Sequence, residues 1–190
     1  MLAGGAGARF GGGKLTAPWR GGALIDGALA AAFAAPVRGV TVVTGADAKV
    51  EAAARAFAAR TGQAARLRVI HCHDHAEGMG ATLRAGVAGL PPDTGGAFVF
   101  LGDMPLIPPA ILPALAAALA AGAIAAAPTF AGQRGHPVLF SAALLPQLRT
   151  LTGDQGARAI LSALGDRLAL VESLEPGVLV DIDRRDQLAP

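Results

Sequence analysis

Cysteine is nearly absent from this chain, aromatic residues make up only 4% of it, and the formal charge is +2. Cys72 stands alone, which excludes an intramolecular disulfide and a cysteine-rich zinc site and makes the cytoplasm the expected compartment. No lysine/arginine cluster with interleaved aromatics is present, so the footprint of a nucleic-acid surface is missing, and any bound anion is expected to be gripped at one point. Apolar runs are broken by Gly, Pro or charge before they reach membrane-spanning length. No basic segment followed by an apolar run opens the chain, so neither a membrane span nor a leader is expected. Ser141 and Ser173 lie outside any G-x-S-x-G elbow, and no asparagine or acid-oriented histidine is arranged around Cys72, which argues against acyl transfer. At 190 residues, 53% of them apolar, the chain reads as one Ala-rich domain, residues 1–190, with a sizeable core.

What the sequence does have is glycine, and six fall in Leu2–Lys14, LAGGAGARFGGGK. Glycine lets successive N–H groups turn toward one point with no Cβ in the way, and Arg9 and Lys14 add positive charge, so the stretch reads as a polyphosphate cradle at the end of a strand. It is not a Walker A loop: counting back from Gly13-Lys14 puts Ala8 at the first glycine and Leu15 at the magnesium hydroxyl. Nor is it a dinucleotide fingerprint, since the third glycine of a motif starting at Gly5 would fall on Phe10. A flexible tail is the competing reading. Only Met1 and Leu2 precede Ala3, so the strand leading into the loop is either unusually short or begins upstream of this start.

Along the chain, helical spacing of apolar residues predicts a helix from Leu24 until Pro36 stops it, with further helices over 47–60, 79–87, 109–121, 141–148 and 159–164; Ser141 is placed to cap one of them. Short β-branched or apolar runs predict strands over 39–45, 67–71, 97–101, 124–127, 137–140, 168–171 and 178–182. This alternation predicts an α/β fold around a parallel sheet, with no internal repeat or linker to divide it.

Asp103, in LGDMP, follows an apolar strand, where ligands of open parallel sheets gather and where a carboxylate either binds Mg²⁺ or caps the next helix. Asp181 and Asp183, in VLVDIDRRD, share a face if the strand reaches Asp183; a solvated strand end paired with Arg184 or Arg185 is the alternative. His71, His73 and His75 alternate beside Asp74 and Glu77, a pattern suited to a transition metal only if the segment is extended. Glu77-Gly78-Met79-Gly80 reads instead as a loop turning into a helix, with free N–H groups for a base or phosphate. His136 sits in a rigid polar turn, between substrate contact and structural hydrogen bonding. The 153–158 stretch combines acid, amide and base before a helix, as an anion-recognition loop or a capped helix start.

Taken in order, the segments at Leu2–Lys14, EGMGATLRAG at Glu77–Gly86, LGDMPLI at Leu101–Ile107, GQRGHPVLF at Gly132–Phe140, LTGDQGARAIL at Leu151–Leu161 and VDID at Val180–Asp183 resemble the nucleotidyltransferase family that includes molybdenum cofactor cytidylyltransferase and its guanylyltransferase relative. The resemblance spans nearly the whole chain. It implies a single three-layer, Rossmann-like nucleotidyltransferase domain with a mostly parallel central sheet and an added β element near the acceptor site.

It also implies site residues. The loop would bind the triphosphate through Ala3, Gly4, Gly5, Gly7, Arg9 and Lys14, with Gly80 and Thr82 of the GMGAT segment. Asp103 and Asp183 would be ligands to Mg²⁺, and Arg134, Gly135, His136, Asp154 and Arg158 would shape the molybdopterin-side pocket. The implied reaction is attack of the acceptor's terminal phosphate on the α-phosphorus of CTP, with Arg9 and Lys14 offsetting phosphate charge and pyrophosphate leaving. A molybdoenzyme or its chaperone would receive the product. The chain departs from the pattern in three places. LAGG at Leu2–Gly5 is spelled as in the guanylyl branch, although the downstream segments resemble the cytidylyl branch. Cys72-His73 stands for a common Asn-Pro, and Arg184-Arg185 for Thr-Pro. GTP in place of CTP, another phosphorylated acceptor, and a nucleotide- or cofactor-binding protein without turnover are the alternatives.

Overall fold

The computed structural model describes residues 1–154 and 156–188. The chain opens with β1 (Leu2–Ala3), passes through the glycine loop into a hairpin of β2 (Pro18–Trp19) and β3 (Gly22–Ala23), and enters α1 (Leu24–Ala34). Then come β4 (Val40–Thr44), α2 (Lys49–Arg60), β5 (Leu67–His71), α3 (Met79–Ala88), β6 (Gly96–Val99) and α4 (Ile111–Ala120). The second half adds β7 (Ala125–Phe130), β8 (Gln133–Arg134), β9 (Val138–Ser141), α5 (Leu145–Leu148), α6 (Arg158–Ala163) and β10 (Leu168–Glu172). Local chemistry sets the first helix. The Asp26 carboxylate accepts the Ala23 N–H at 2.9 Å and is paired with Arg60, while Pro36 holds Ala35 extended and ends the run.

The strands line up as β5-β4-β1 and β6-β9-β7-β10, and the two sets meet where Leu2 bridges Leu101 in parallel. Two hydrogen bonds close that seam: Leu2 N–H donates to Phe100 O at 2.8 Å and Gly102 N–H to Leu2 O at 2.9 Å. Along this order β9 alone runs antiparallel to its neighbours, with β8 a short antiparallel addition to β7. The sheet is therefore mostly parallel, and its second half contains the added β element.

Alternation along the strands divides the core into two layers. Val42, Ala126 and Leu139 face α1, α2 and α4 among Ile25, Leu29, Val50, Leu112 and Leu115, whereas Ala125, Ala127, Val138 and Phe140 face α3, α5 and α6 among Leu83, Leu148 and Leu161. Each large apolar side chain buried in these layers contributes about 1.5–3 kcal/mol.

Three expectations are corrected. Val178–Ile182 is not a strand: Pro176–Leu179 is a 3-10 turn and the following residues pair with no ladder. Ser141 does not cap a helix; it ends β9, its hydroxyl has no partner among the described residues, and a 3-10 turn at Ala142–Leu144 leads into the single turn of α5. The 97–101 strand ends at Val99, with Leu101 retained only as the bridge to Leu2. Of the predicted 153–158 loop, Gln155 lies outside the described residues.

Candidate active site

The glycine loop is ordered by its own carbonyls. Gly7 O accepts from Phe10 N at 3.0 Å and from Gly12 N at 3.2 Å, and Ala8 O accepts from Gly11 N at 3.1 Å. Gly7, Gly11, Gly12 and Gly13 all have positive φ, a conformation that strains any residue with a Cβ. The N–H groups of Phe10, Gly11 and Gly12 are thus spent inside the loop. Those of Gly5, Ala6 and Gly7 at one end of the stretch, and of Gly13 and Lys14 at the other, have no main-chain acceptor among the described residues, so the loop keeps open donors on both sides of its spent middle. Ala3 is buried in β1. Gly4 packs so closely on α3 that a Cβ there would meet the Thr82 hydroxyl at 2.8 Å, and Thr82 itself is buried.

The loop's fold returns Lys14 to the sheet edge. A Cβ on Gly7 would lie 3.0 Å from Lys14 Cβ, so the lysine stem is seated against that glycine. Its Nζ lies 2.8 Å from Asp103 Oδ2 and 2.8 Å from Asp183 Oδ1, and its side chain is only 11% exposed. Asp103 is carried by the turn after the Leu101 bridge. Asp183 is brought over by main chain, since Ile182 N–H donates to the Asp103 carbonyl at 3.0 Å. Arg9, mostly exposed, approaches Asp183 Oδ2 at 3.6 Å.

Burial works against the Lys14 charge, but the hydrogen bonds and charges of Asp103 and Asp183 outweigh it and raise its pKa above the ordinary lysine value. Reciprocally, the Lys14 hydrogen bond holds the Asp183 carboxyl below the usual carboxylate range against the opposing cost of burial, and the charges of Lys14 and Arg9 add to it. Of the two acids in VDID, Asp183 is the one that reaches Lys14. Asp181, exposed, makes no ion pair among the described residues. Two carboxylates turned to one point suit Mg²⁺, which takes one or two protein carboxylates and completes its shell with water and phosphate oxygens. No group of three or more His, Cys, Asp or Glu with metal-binding spacing occurs among the described residues.

Beside this centre lies a cavity of about 810 Å³, lined by Arg134 of β8, His136, Asp154, Arg158 of α6, Met79 and Leu101. The four polar residues expected from distant segments are thus brought to one hollow. Gly135 permits the chain to pass there, because a Cβ would strike the Val178 carbonyl. His136 is half-buried, and its Nδ1, which is turned inward, has no partner among the described residues. Burial lowers its pKa, against the opposing pull of the Val99 main chain and the Asp103 charge.

Gly80 behaves differently from expectation. Its N–H donates to Gly153 O at 2.8 Å, so it is not free for a ligand. The residue instead seats α3 against the loop bearing Asp154, where a Cβ would meet Gly153 O at 2.7 Å. The three histidines pack against one another, His71 on His73 at 4.8 Å and His71 to His75 at 6.3 Å between ring centroids.

Two contacts were not anticipated from the sequence. Arg185 donates to Phe10 O at 3.1 Å and lies over the Phe10 ring at 4.6 Å, clamping the glycine loop to the C-terminal segment. Arg84 donates to Leu151 O at 2.8 Å and pairs with Glu77 at 3.2 Å, fixing the approach to the Asp154 loop. The replacement of Thr-Pro by two arginines was the available signal for the first; Glu77, seven residues before Arg84 and ahead of the start of α3, was a faint one for the second. A further cavity of about 570 Å³ opens at the opposite edge of the sheet, lined by Arg38, Thr41, Arg66 and Thr94, and contains none of the expected site residues.

Solved structures share this architecture. A nucleotidyl transferase from Methanothermobacter is 25% identical, with a TM-score of 0.72 over 98% of this chain and 94% of that one. The 4-diphosphocytidyl-2C-methyl-D-erythritol synthase of Anaerococcus prevotii is 11% identical, with a TM-score of 0.75 over 98% and 90%. Molybdopterin-guanine dinucleotide biosynthesis protein A from Archaeoglobus fulgidus is 22% identical, with a TM-score of 0.60 over 98% and 92%. No curated protein sequence matches the chain significantly. The sequence matches the MobA-like NTP transferase domain over residues 1–168, the span that carries the glycine loop, Asp103 and the hollow lined by Arg134, His136, Asp154 and Arg158, and the chain belongs to that family.

Proposed function

We propose that this nucleotidyltransferase moves a cytidylyl group from CTP to the terminal phosphate of a molybdopterin-type cofactor, in the cytoplasm, with the whole chain acting as one NTP-transferase domain. The observation that carries the reading is the convergence of Lys14, Asp103 and Asp183 beside a hollow lined by Arg134, His136, Asp154 and Arg158. The triphosphate lies on open N–H groups of the glycine loop, among them those of Gly5, Ala6 and Gly7, with Arg9 and Lys14 offsetting its charge. Asp103 and Asp183 are the residues that would hold Mg²⁺, which supplies positive charge to the phosphates.

On the other side, Arg134 and Arg158 grip the anionic acceptor, and half-buried His136 orients it in its neutral form. An oxygen of the acceptor phosphate forms a bond to the α-phosphorus, the bond to the β-phosphate oxygen breaks, and pyrophosphate leaves. The nucleophile is already anionic, so no side chain needs to take a proton. A molybdoenzyme or its chaperone takes the product.

Transfer of guanylyl from GTP is the second reading. The LAGG spelling at Leu2–Gly5 favours it, because those residues end β1 and open the loop where a nucleotide would enter. Pyrophosphate release from CTP and GTP with Mg²⁺, with and without molybdopterin-type cofactor, decides between the two. Release from CTP that requires the cofactor supports cytidylyl transfer, and preference for GTP moves the assignment to guanylyl transfer. Silence from both with this acceptor but release with another phosphorylated compound overturns the acceptor assignment.

A further inference from the structure

We propose that Lys14 is an internal stand-in for the metal ion: its ammonium occupies the place between Asp103 and Asp183 until a metal-bound triphosphate arrives, and then passes to the phosphates. The proposal rests on the reading of these two aspartates as the metal ligands.

The geometry carries it. Lys14 Nζ is 2.8 Å from one oxygen of each carboxylate, so a single cation is shared between two acids drawn from separate segments of chain. Lys14 is the ion-pair partner of Asp103 among the described residues, and Asp183 has in addition only the longer contact to the exposed Arg9. Without a cation there, two carboxylates would face each other at the sheet edge, which like charges disfavour. A metal bound by both acids would need carboxylate oxygens at about 2.0–2.1 Å. If it draws on the oxygens that Lys14 now uses, the two cations compete for one place.

The lysine is also built to move. Its Cβ is seated against Gly7, but the stem beyond has freely rotatable bonds and ends in a compact charge with no fixed fork geometry. The ammonium can leave the aspartates without unfolding the loop, and the triphosphate supplies it with a new anionic partner. Metal alone must evict Lys14 into water, whereas metal with nucleotide gives Lys14 somewhere to go. Metal and nucleotide therefore strengthen each other's binding, and the empty enzyme discourages metal from settling without substrate.

The test is Mn²⁺ binding, read from the electron paramagnetic resonance signal of the free ion, for wild type and Lys14→Met without nucleotide and with CTP or GTP, the loss of signal in protein-free Mn²⁺–nucleotide mixtures being subtracted. Lys14→Met keeps most of the stem and removes the charge. It is expected to bind Mn²⁺ about tenfold more tightly than wild type when no nucleotide is present, and to lose most of the strengthening that nucleotide confers on wild type. In metal-free buffer it is expected to melt below wild type and to recover on adding Mn²⁺. Lys14→Gln repeats the measurement should the methionine variant fail to fold, and Lys14→Arg, which keeps the charge, is expected to show no gain. Equal or weaker Mn²⁺ binding by folded Lys14→Met or Lys14→Gln without nucleotide overturns the proposal. Wild type that binds no Mn²⁺ even with nucleotide overturns it differently, by removing the two-aspartate site on which it rests.

Discussion

The main-chain N–H of Ile182 donates to the carbonyl of Asp103 across 3.0 Å, and that bond delivers Asp183 to the carboxylate of Asp103. Because the link is between backbone groups, either acid can be altered without breaking the connection that positions the other. The site can therefore be tested residue by residue in protein that stays folded.

Asp103→Ala is expected to lower kcat for pyrophosphate release by about 10²–10³-fold, the scale on which a preorganised electrostatic contact acts on transferred charge. Asp183→Asn should follow in the same direction, while Asp181→Asn, whose side chain makes no ion pair among the described residues, should leave the rate near wild type. Steady-state kinetics with matched circular dichroism spectra measures this, and normal turnover by Asp103→Ala would sink the assignment.

Stability should depend on pH at both ends of the range in metal-free buffer. The Asp183 carboxyl is held below its ordinary 3.8 chiefly by the Lys14 hydrogen bond, so its contribution is present above that value and is lost as pH falls through the lower folded value. Lys14 is raised above its ordinary 10.5 because its two acidic partners outweigh burial; its contribution is present below that value and is lost as pH climbs through the raised one. Thermal melts from acid to alkaline pH should show both limbs in wild type, and Asp183→Asn should flatten the acid one. An unchanged acid limb would count against this coupling.

The glycines of the site divide into two kinds. Gly80→Ala places a Cβ 2.7 Å from Gly153 O and 2.9 Å from Thr152 O, both backbone, and should cost about 1–3 kcal/mol in denaturant unfolding. Gly5→Ala meets no atom within 4 Å and does not sit at positive φ, so its stability should equal wild type, and any loss should appear as weaker nucleotide binding.

Arg185→Ala removes a hydrogen bond to Phe10 O and the cation over its ring while touching neither aspartate. It is expected to raise KM for the nucleotide about fivefold, as the loss of about 1 kcal/mol of loop positioning requires, with kcat little changed. Faster proteolytic cleavage at Arg9 would accompany it. A fall in kcat with KM constant would mean that Arg185 acts on the chemistry instead.

Much of the architecture was legible because it is written locally. Leu24–Ala34 follows from apolar spacing and the stop at Pro36, and Leu67–His71 from a short apolar run between turns; both were located to within about two residues. The glycine loop and Asp103 were equally visible, since a loop or acid directly after an apolar strand is a property of adjacent residues.

What adjacent residues cannot specify is which backbone groups find one another. VLVDI has the composition of a strand, but after the turn at Pro176–Leu179 its hydrogen bond goes to the Asp103 turn instead of a ladder, and that choice selects Asp183 over Asp181. Gly80 has the look of a free helix start, yet its N–H is taken by Gly153, far along the chain. The direction of β9 and the sharing of Lys14 between two acids are of the same kind. Most element types, the glycine loop and the identities of the charged groups are readable from neighbouring residues alone, because periodicity, turn chemistry and side-chain charge act over a few positions. Which acids converge and which N–H groups remain open emerges from the packed chain alone, because a backbone hydrogen bond or an ion pair depends on every segment that competes for the same partner.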